Sequence, residues 1–313
     1  GEMTPVMMAA MLIGLRVKKE TIGEITAAAQ VMREFSTKVH VADRRHLVDI
    51  VGTGGDGSHT FNISTCSMFV AAAAGARVSK HGNRSVSSKS GSADVLEALG
   101  VPMSLSPAAI AQSIADTGIG FMFAPNHHPA MKNVAPVRRE LGVRTIFNIL
   151  GPLMNPGRPA HILLGVYSLP LVEKLARTLE ELGQEAGLVG HGVITPEKGI
   201  DELTTATVNH VHGVGRLGGV RARWRAEDFG LAAAPFAELQ GGDVGANLAT
   251  VEAILAGRGP AGLADTIVLN SAVALHVAGR VGTIRDGLAP ARELLLGGAV
   301  AKKIAATKEF YRA

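Results

Sequence analysis

The stretch Val-Gly-Thr-Gly-Gly-Asp-Gly-Ser-His-Thr-Phe-Asn-Ile-Ser-Thr at residues 51–65 places four glycines between two apolar segments. The apolar run 47–51 leads into it, and the apolar, Ala-rich run 66–74 follows it. Glycine lets the backbone turn tightly and present several N–H groups to one anion. A helix N-terminus adds unpaired N–H groups and a partial positive charge. The order strand, glycine loop, helix therefore predicts a phosphate-binding loop.

Two familiar nucleotide-binding loops do not fit this stretch. The pattern G-x-G-x-x-G of dinucleotide-binding proteins is matched by Gly52, Gly54 and Gly57. That pattern also requires an acidic residue near the end of the next strand, to bind a ribose hydroxyl. The next strand candidate leads instead into the basic run 80–84, Lys-His-Gly-Asn-Arg, so NAD binding is disfavoured. The Walker loop requires Gly-Lys followed by Ser or Thr, and Gly57 is followed by Ser and His. For this loop taken alone, a glycine-rich structural turn stays the alternative.

A second polar loop strengthens the prediction of a ligand site. Four Lys or Arg residues and no acid lie between Arg77 and Lys89, and Ser-Lys-Ser-Gly-Ser at 88–92 precedes a helix that we expect to begin near Ala93. Both loops follow a strand and precede a helix. Loops of this kind meet at the carboxyl edge of a parallel sheet, where α/β folds bind their ligands.

The rest of the chain predicts an α/β protein with an all-helical start. Residues 5–36 carry apolar side chains at helical spacing, including Met7 and Met11. From residue 47 onward strands and helices alternate, which predicts a mainly parallel central sheet. A short antiparallel excursion is expected over 203–229. Ala-rich helices are expected over 243–257, 262–279 and 286–306.

Several motifs together resemble those of anthranilate phosphoribosyltransferase, a class III phosphoribosyltransferase with a nucleoside phosphorylase-like fold. The resemblance runs from about Pro5 to the C-terminus. The motifs are Gly-Thr-Gly-Gly-Asp at 52–56, Asn-Ile-Ser-Thr at 62–65, Lys-His-Gly-Asn-Arg at 80–84, Ser-Gly-Ser-Ala-Asp-Val-Leu-Glu-Ala-Leu-Gly at 90–100, Phe-Asn-Ile-Leu-Gly-Pro-Leu-Met-Asn-Pro at 147–156, and the pair Asp201-Glu202.

The resemblance implies a domain organisation and an assembly. A small helical domain would comprise residues 1–43 and about 127–146, and a large α/β domain would comprise 44–126 and 147–313. The site would lie in the cleft between them, and the small domain would form a homodimer. Because the chain begins with Gly1 rather than Met, we expect a trimmed start, and the resemblance implies that a helix precedes it.

The resemblance also implies an activity and a set of site residues. The family transfers the phosphoribosyl group of phosphoribosyl pyrophosphate to anthranilate in tryptophan synthesis, with Mg²⁺, two ions per subunit, as cofactor. The residues implied for phosphoribosyl pyrophosphate are Gly52, Gly54, Gly55, Asp56, Thr60, Asn62, Ser64, Thr65, Lys80 and Ser92. Those implied for anthranilate are Gly52, His81, Asn83, His127 and Arg138. Those implied for the metal are Ser64, Asp201 and Glu202.

The acceptor and metal residues can be weighed by their chemistry. An aromatic carboxylate calls for a guanidinium fork, and Arg138 follows the polar turn 124–129. A capping or surface role stays the alternative for His127 and for His128. Asp201 and Glu202 follow the turn-rich segment 195–200, where both acids can face one cation. Mg²⁺ binds through one or two carboxylates plus substrate phosphates, while a surface turn is the alternative for an acidic pair taken alone.

The predicted chemistry needs charge stabilisation more than it needs a base. Pyrophosphate leaves as a polyanion while the sugar gains oxocarbenium character, so the protein must neutralise the leaving group and hold the nucleophile in line. The anthranilate amine is already neutral, and no strong general base is required. Lys80 and Arg138 are therefore expected to act by electrostatics and positioning, and no residue is predicted as an acid, base or nucleophile.

Bulk properties limit the classes of function. The net charge of +4 is modest, so a small polyanion explains the basic loops as well as nucleic acid does. The one cysteine, Cys66, excludes an intrachain disulfide and fits a reducing compartment, and we expect a cytoplasmic enzyme that binds neither membrane nor nucleic acid. Two rivals stay open: a family-related nucleic-acid-binding protein without transferase activity, and a nucleoside phosphorylase.

Overall fold

The structure, a computed structural model, describes residues 2–85, 89–195 and 198–312. Ser88 of the second polar loop, and Pro196 and Glu197 of the turn before the acidic pair, lie outside the described residues. The central sheet has eight strands. They are β1 Leu47–Gly52, β2 Arg77–Gly82, β3 Ile119–Phe123, β4 His161–Gly165, β5 Ala186–Val193, β6 Gly199–Ile200, β7 Val208–Gly215 and β8 Arg221–Trp224.

The sheet is mainly parallel, as the alternation of strands and helices predicts. Its order is β3-β2-β1-β4-β5-β7-β8, with β6 paired to β5. Strands β1 to β5 pair in parallel, whereas β6, β7 and β8 are antiparallel to their neighbours. The antiparallel excursion expected over 203–229 is confirmed by β7 and β8. The register sets Gly52 at the end of β1 beside Gly165 at the end of β4.

Thirteen α-helices occur in the described residues. They are α1 Pro5–Lys18, α2 Ile22–Glu34, α3 Ile63–Ala73, α4 Ser92–Ala98, α5 Pro107–Thr117, α6 Ala124–His127, α7 Met131–Leu141, α8 Phe147–Leu150, α9 Pro170–Glu181, α10 Val244–Leu255, α11 Ala261–Val277, α12 Ile284–Leu296 and α13 Ala299–Phe310. The local sequence explains where several of these helices begin. Thr21 and Glu24 form a reciprocal capping box at α2, and Ser106 caps α5 with Pro107 in its first turn.

One helix prediction is wrong in detail. The sequence pattern predicts a single helix over 286–306, but the structure has two, α12 and α13, separated by Gly297 and Gly298. Gly298 has φ +86°, a left-handed conformation that only glycine adopts without strain and that an α-helix cannot contain.

Two hydrophobic layers cover the sheet. On one face α3 and the almost wholly buried α11 pack over the sheet interior. On the other face α9 packs against β5 and β7. The N-terminal helices join this second layer, because Leu12 of α1, Ile25 of α2 and Val137 of α7 belong to the same apolar cluster as Leu164 of β4. Helix α7 also packs directly on α1. The helices at 5–34 and 131–141 therefore pack together although about a hundred residues separate them.

Candidate active site

The glycine loop after β1 has the backbone that its sequence predicts. Gly54, Gly55 and Gly57 have φ of +72°, +73° and +68°, in the left-handed region that favours glycine. A Cβ placed on any of the three would meet no heavy atom within 4 Å, so the loop is open on the side of these atoms. The N–H of Gly54 donates to Asp201 Oδ2 at 2.6 Å. Within the described residues the N–H groups of Gly55, Asp56 and Gly57 have no acceptor, which leaves three clustered donors for an anion.

The acidic pair reaches this loop and the helix after it. Asp201 accepts from Gly54, and Glu202 Oε1 accepts from the N–H of Ser64 in the first turn of α3 at 3.1 Å. Burial raises the pKa of Asp201, and the neighbouring Asp56 and Glu202 carboxylates raise it further. Burial likewise raises the pKa of Glu202 to about 7. Both acids are thus costly to ionise until a cation joins them.

Two glycines create the space that Asp201 occupies. Gly52 and Gly165 lie side by side on β1 and β4. A Cβ on Gly52 would overlap the Asp201 carboxylate, and a Cβ on Gly165 would overlap the backbone carbonyl of Asp201. The glycine at position 52 therefore serves the acidic pair as well as the turn.

Lys80 lies inside the protein rather than on the loop surface. It is only 2% exposed, and its Nζ donates to the Ile50 carbonyl at 2.6 Å and to Ser64 Oγ at 3.1 Å. Burial lowers its pKa, while the nearby Asp49 and Glu202 carboxylates oppose that shift. The structure therefore places Lys80 beneath Ser64 and the acidic pair, where its charge acts on both.

A buried polar network below Lys80 was missed by the sequence analysis. Asn155 Nδ2 donates to Asp49 Oδ2 at 2.7 Å and to the Ser79 carbonyl at 2.8 Å. Asp49 is fully buried, and burial raises its pKa to about 6, against the opposing charge of Lys80. The available signals were an acid within the apolar run 47–51 and the Asn of the 147–156 motif.

The second polar loop is tied to the first through amide and hydroxyl groups. Asn62, just before α3, donates to the Ser90 carbonyl at 3.3 Å, and its Oδ1 accepts from Asn247 Nδ2 at 2.9 Å. Ser92 Oγ donates to the carbonyl of the exposed Asn83 at 3.4 Å. Arg84 of the basic run is not free for an anion, because Asp94 and Glu97 both pair with it.

Two other residues implied for phosphoribosyl pyrophosphate lie at the edges of these loops. Thr60 forms an isolated antiparallel bridge with Gln240. Thr65 is 1% exposed, and its Oγ1 has no hydrogen-bond partner among the described residues. The position of Thr65 in the first turn of α3, next to Ser64, follows from the Asn-Ile-Ser-Thr motif.

The three histidines near the acceptor positions have different roles. His81 Nδ1 lies 3.1 Å from the Gly151 carbonyl, and its Nε2 lies 3.1 Å from His128 Nε2. Burial, reinforced by His128, lowers the pKa of His81 to about 3, and burial lowers that of His128 to about 4, so both rings are neutral near pH 7. His127 Nδ1 instead pairs with the Thr37 carbonyl at 2.8 Å, which fits the structural alternative.

Arg138 on α7 is a half-buried cation without an acidic partner in the described residues. Its guanidinium lies over the Phe147 ring, 5.3 Å from the centroid, and makes no hydrogen bond or ion pair there. Burial lowers its pKa, which means that the charged form lacks compensation. A carboxylate ligand would supply that compensation.

Arg144, just after α7, was not singled out as a site residue by the sequence analysis. Its guanidinium stacks on Tyr167, 4.3 Å from the ring centroid, and donates to the Gly55 carbonyl of the glycine loop. Its own carbonyl accepts from Arg16 of α1 at 2.6 Å. Arg144 therefore connects the N-terminal helices to the glycine loop, a contact that no local sequence signal reveals.

Two negative findings concern the described residues. They contain no group of three or more His, Cys, Asp or Glu side chains arranged to hold a metal ion. Over the same ranges, no helix combines the length and the apolar character that crossing a membrane requires.

Family comparisons cover nearly the whole chain. The helical bundle domain of a glycosyl transferase family matches residues 1–36, and the α/β domain of that family matches residues 44–301. The anthranilate phosphoribosyltransferase of Polaromonas sp. is 56% identical over 305 residues, which cover 97% of this chain and 86% of the relative. The anthranilate phosphoribosyltransferase of Verminephrobacter eiseniae is 58% identical over 309 residues, which cover 97% of this chain and 87% of that relative.

Solved structures of anthranilate phosphoribosyltransferases share the fold of this chain. The crystal structure of anthranilate phosphoribosyltransferase from Thermus thermophilus superposes with a TM-score of 0.92 at 42% identity, covering 100% of this chain and 92% of that one. The structure of the Saccharomyces cerevisiae anthranilate phosphoribosyltransferase in complex with PRPP and Mg superposes with a TM-score of 0.89 at 26% identity. That match covers 98% of this chain and 85% of the yeast chain. The chain therefore belongs to the anthranilate phosphoribosyltransferases of the glycosyl transferase family. The predicted family, fold class and enzyme activity are confirmed.

Proposed function

We propose that this chain transfers the phosphoribosyl group of 5-phosphoribosyl 1-pyrophosphate to the amine of anthranilate, with release of pyrophosphate, in tryptophan biosynthesis. One observation carries the site assignment: the glycine loop and the first turn of α3 each donate a backbone N–H to one member of the Asp201-Glu202 pair. Anion donors and metal-type carboxylates thereby meet at the carboxyl end of β1, where α/β folds bind ligands.

The phosphate groups would bind at the glycine loop. The N–H groups of Gly55, Asp56 and Gly57, which have no acceptor among the described residues, supply donors that need no side-chain rearrangement. Preorganised donors of this kind stabilise developing negative charge. Asn62, Thr60 and Ser92 border the loop and would complete the contacts. Lys80 would act from beneath, by holding Ser64 and by adding positive charge, rather than by touching the leaving group.

Asp201, Glu202 and Ser64 would hold Mg²⁺. The donor set fits, because hard oxygen ligands suit this ion and because both acids have raised pKa values that a cation would lower. When bound, Mg²⁺ supplies neutralisation of the pyrophosphate charge as the bond to ribose breaks. The yeast relative is described as a complex with PRPP and Mg, and we extend this to two ions per subunit here.

Anthranilate would bind opposite the phosphates. Arg138 would pair with its carboxylate, which would give this half-buried cation the anionic partner that it needs. Asn83 is exposed and can contact the acceptor without adding charge. His81 is neutral but buried, with both ring nitrogens engaged, so it would border the acceptor rather than pair with it. The aryl amine is neutral near pH 7, and its attack on the ribose C1 requires alignment rather than a strong base.

We propose further that the enzyme is a cytoplasmic homodimer with the two-domain division described above, residues 1–43 and about 127–146 forming the smaller domain. Val6, Met7 and Met11 on α1 are more than half exposed, and a second subunit would cover them. The single cysteine fits a reducing compartment.

One assay tests the activity and separates the alternatives. Purified protein with Mg²⁺, phosphoribosyl pyrophosphate and anthranilate should remove the anthranilate fluorescence, and omission of Mg²⁺, of phosphoribosyl pyrophosphate or of the protein should stop the loss. Parallel reactions with a nucleoside and inorganic phosphate, and a DNA-binding titration, address the phosphorylase and the nucleic-acid-binding protein. Fluorescence unchanged by a folded protein would overturn the proposal.

A further inference from the structure

A groove lies at the far edge of the sheet from the second polar loop, between the start of α9 and the outer strands β7 and β8. Its volume is about 590 Å³, within the range of small-molecule sites. None of the residues discussed for the cleft lines it. The lining residues used below are Glu173, His210, His212, Arg221 and Arg223. The last four we call the His–Arg groove.

The four residues of the His–Arg groove form two cross-strand pairs on one face of the sheet. The antiparallel register sets His210 opposite Arg223 and His212 opposite Arg221. Alternate residues of a strand share a face, and Val214, two positions beyond His212, packs in the apolar cluster that contains α9 residues. Two arginines therefore lie directly opposite two titratable rings. Such pairs of like charge disfavour the sheet when the rings are protonated.

The cations of the groove lack acidic partners. Within the described residues Arg223 makes no hydrogen bond or ion pair, and Arg221 donates only to the carbonyls of Gly218 and Val220. Glu173 is the one acid of the lining, and its carboxylate already pairs with Arg177 at 2.5 Å. The groove is therefore positively charged although an acid stands in its wall.

His212 gives the groove a buried donor or acceptor with nothing to bind. The side chain is only 4% exposed, and its Nε2 has no hydrogen-bond partner among the described residues. Buried polar atoms in folded proteins are nearly always satisfied, so an unsatisfied one calls for an explanation. Because this nitrogen is itself sealed from solvent, an oxyanion in the groove would act on the His212 ring through its charge rather than by a direct hydrogen bond.

We propose that the His–Arg groove binds a small polyanion that carries phosphate or carboxylate groups. The guanidinium forks of Arg221 and Arg223 match the geometry of both kinds of oxyanion. The anion would pair with both guanidinium groups, which have no acidic partner among the described residues, and would favour protonation of the His210 and His212 rings opposite them. The groups that face His212 from the packed elements are Glu173, Arg177 and Glu180 of α9 and Arg221 of β8, and their formal charges cancel. The positive charge that the ligand meets therefore comes from Arg221 and Arg223 on β8.

The test follows the His210 and His212 ring signals by NMR during titration with inorganic phosphate and, separately, with citrate. The signals are assigned with His210→Gln and His212→Gln, and chloride keeps the ionic strength constant. We expect saturable shifts of both rings with a dissociation constant of about 1 mM or below for one probe or both. Response to phosphate or to citrate identifies the ligand chemistry.

A matched pair of double variants supplies the control. Arg221→Gln/Arg223→Gln should weaken binding by about tenfold or more, whereas Arg225→Gln/Arg258→Gln removes the same charge from exposed positions outside the groove and should leave it unchanged. Both variants should keep wild-type transferase activity. Absence of saturable shifts, equal weakening in both double variants, or a response only to an acidic peptide such as hexaglutamate would overturn the proposal. None of these outcomes depends on the proposed transferase function.

Discussion

At the level of single residues, the site depends on a few positions whose chemistry is set by their surroundings. Asp201 lies against Gly52 because that glycine carries no side chain that would exclude it, and its carboxylate accepts from the Gly54 N–H. Lys80 is buried against Ser64, and His81 is neutral because it is buried against His128. Each of these states follows from burial and proximity rather than from residue type, and each leads to a separate experiment.

Gly52→Ala should reduce activity severely. The new Cβ overlaps the Asp201 carboxylate, so the acid must move away from the glycine loop or the strand end must shift. We expect a loss of stability of about 1–3 kcal/mol, as for overpacking elsewhere. Gly23→Ala, where a Cβ meets no atom within 4 Å, is the control; it should match wild type in turnover and be at least as stable, because alanine favours the helix over glycine. A fully active Gly52→Ala enzyme would remove Asp201 from the site.

Asp201→Asn/Glu202→Gln should lower activity strongly and shift its Mg²⁺ dependence to higher concentrations. The amides keep the shape and still accept hydrogen bonds, but they remove the charge. Thermal stability should stay near wild type or rise slightly, because the two acids and Asp56 repel one another without a cation. The control is the exposed adjacent pair Glu227 and Asp228, changed in the same way. An unaltered Mg²⁺ titration would mean that the acidic pair does not hold the metal.

His81 should make the fold sensitive to acid. Its pKa is about 3 in the folded protein against an ordinary value of 6.5, so the unfolded chain binds the extra proton between these values. The stability that the neutral ring contributes is complete above pH 6.5 and falls as the pH drops toward 3, with a limiting slope of about 1.4 kcal/mol per pH unit. Urea unfolding from about pH 7 to 4 should show a shallower slope for His81→Gln than for wild type. The exposed His40→Gln should behave as wild type; equal slopes for His81→Gln and wild type would contradict the prediction.

At the level of secondary structure, α7 and the segment after it connect the N-terminal helices to the site. Helix α7 packs on α1 and carries Arg138. Arg144, after α7, accepts from the Arg16 guanidinium of α1 through its backbone carbonyl and donates through its own guanidinium to the Gly55 carbonyl. Pro136 lies inside α7 and lowers its intrinsic helical stability. The packing of α7 on α1 is therefore what holds the two arginines in place.

Arg138→Ala should raise the Michaelis constant for anthranilate by about tenfold or more, as expected for loss of a hydrogen-bonded charge, and should change that for phosphoribosyl pyrophosphate little. Arg138→Lys should restore only part of the affinity, because lysine keeps the charge but lacks the guanidinium fork. Exposed Arg139→Ala is the neighbouring control. Steady-state kinetics with each substrate varied in turn measures this, and equal effects on the two constants would count against a carboxylate contact.

At the level of the whole chain, one sheet carries the glycine loop, the polar loops and the acidic pair, and the N-terminal helices extend its second apolar layer. Those helices leave apolar side chains in solvent on the side away from that layer. Val6 is 79% exposed and Met7 59%, on the same short helix. Exposed apolar patches of this kind mark interaction surfaces.

The protein should sediment as a homodimer at micromolar concentration. Met7→Glu/Met11→Glu puts two charges on the exposed face of α1 and should give monomers with a folded α/β core. Leu296→Glu, an exposed apolar position on α12, should leave the dimer intact. Sedimentation velocity and circular dichroism together separate dissociation from unfolding. A wild-type monomer, or a dimer unaffected by the α1 charges, would place any interface elsewhere.

The architecture and the anion chemistry can be predicted from local patterns in the sequence. Alternating strands and helices predict the parallel sheet, and the glycines at 54, 55 and 57 predict the left-handed loop, because these patterns act through local backbone preferences. Gly297 and Gly298 carried the same kind of signal for the break between α12 and α13.

Which groups meet, and in what ionisation state, depends on the packed molecule. Asp201 reaches Gly54 across 147 positions because β6, just before it, pairs with β5, and β5 pairs with β4 beside β1. Asn155 reaches Asp49 across 106 positions because it precedes β4, which pairs with β1, and no local pattern fixes these pairings. Burial then sets the chemistry: it makes Lys80 an internal support, holds His81 neutral and leaves Arg138 without a partner among the described residues. Desolvation depends on everything packed around a group, and for that reason residue type alone could not predict these states.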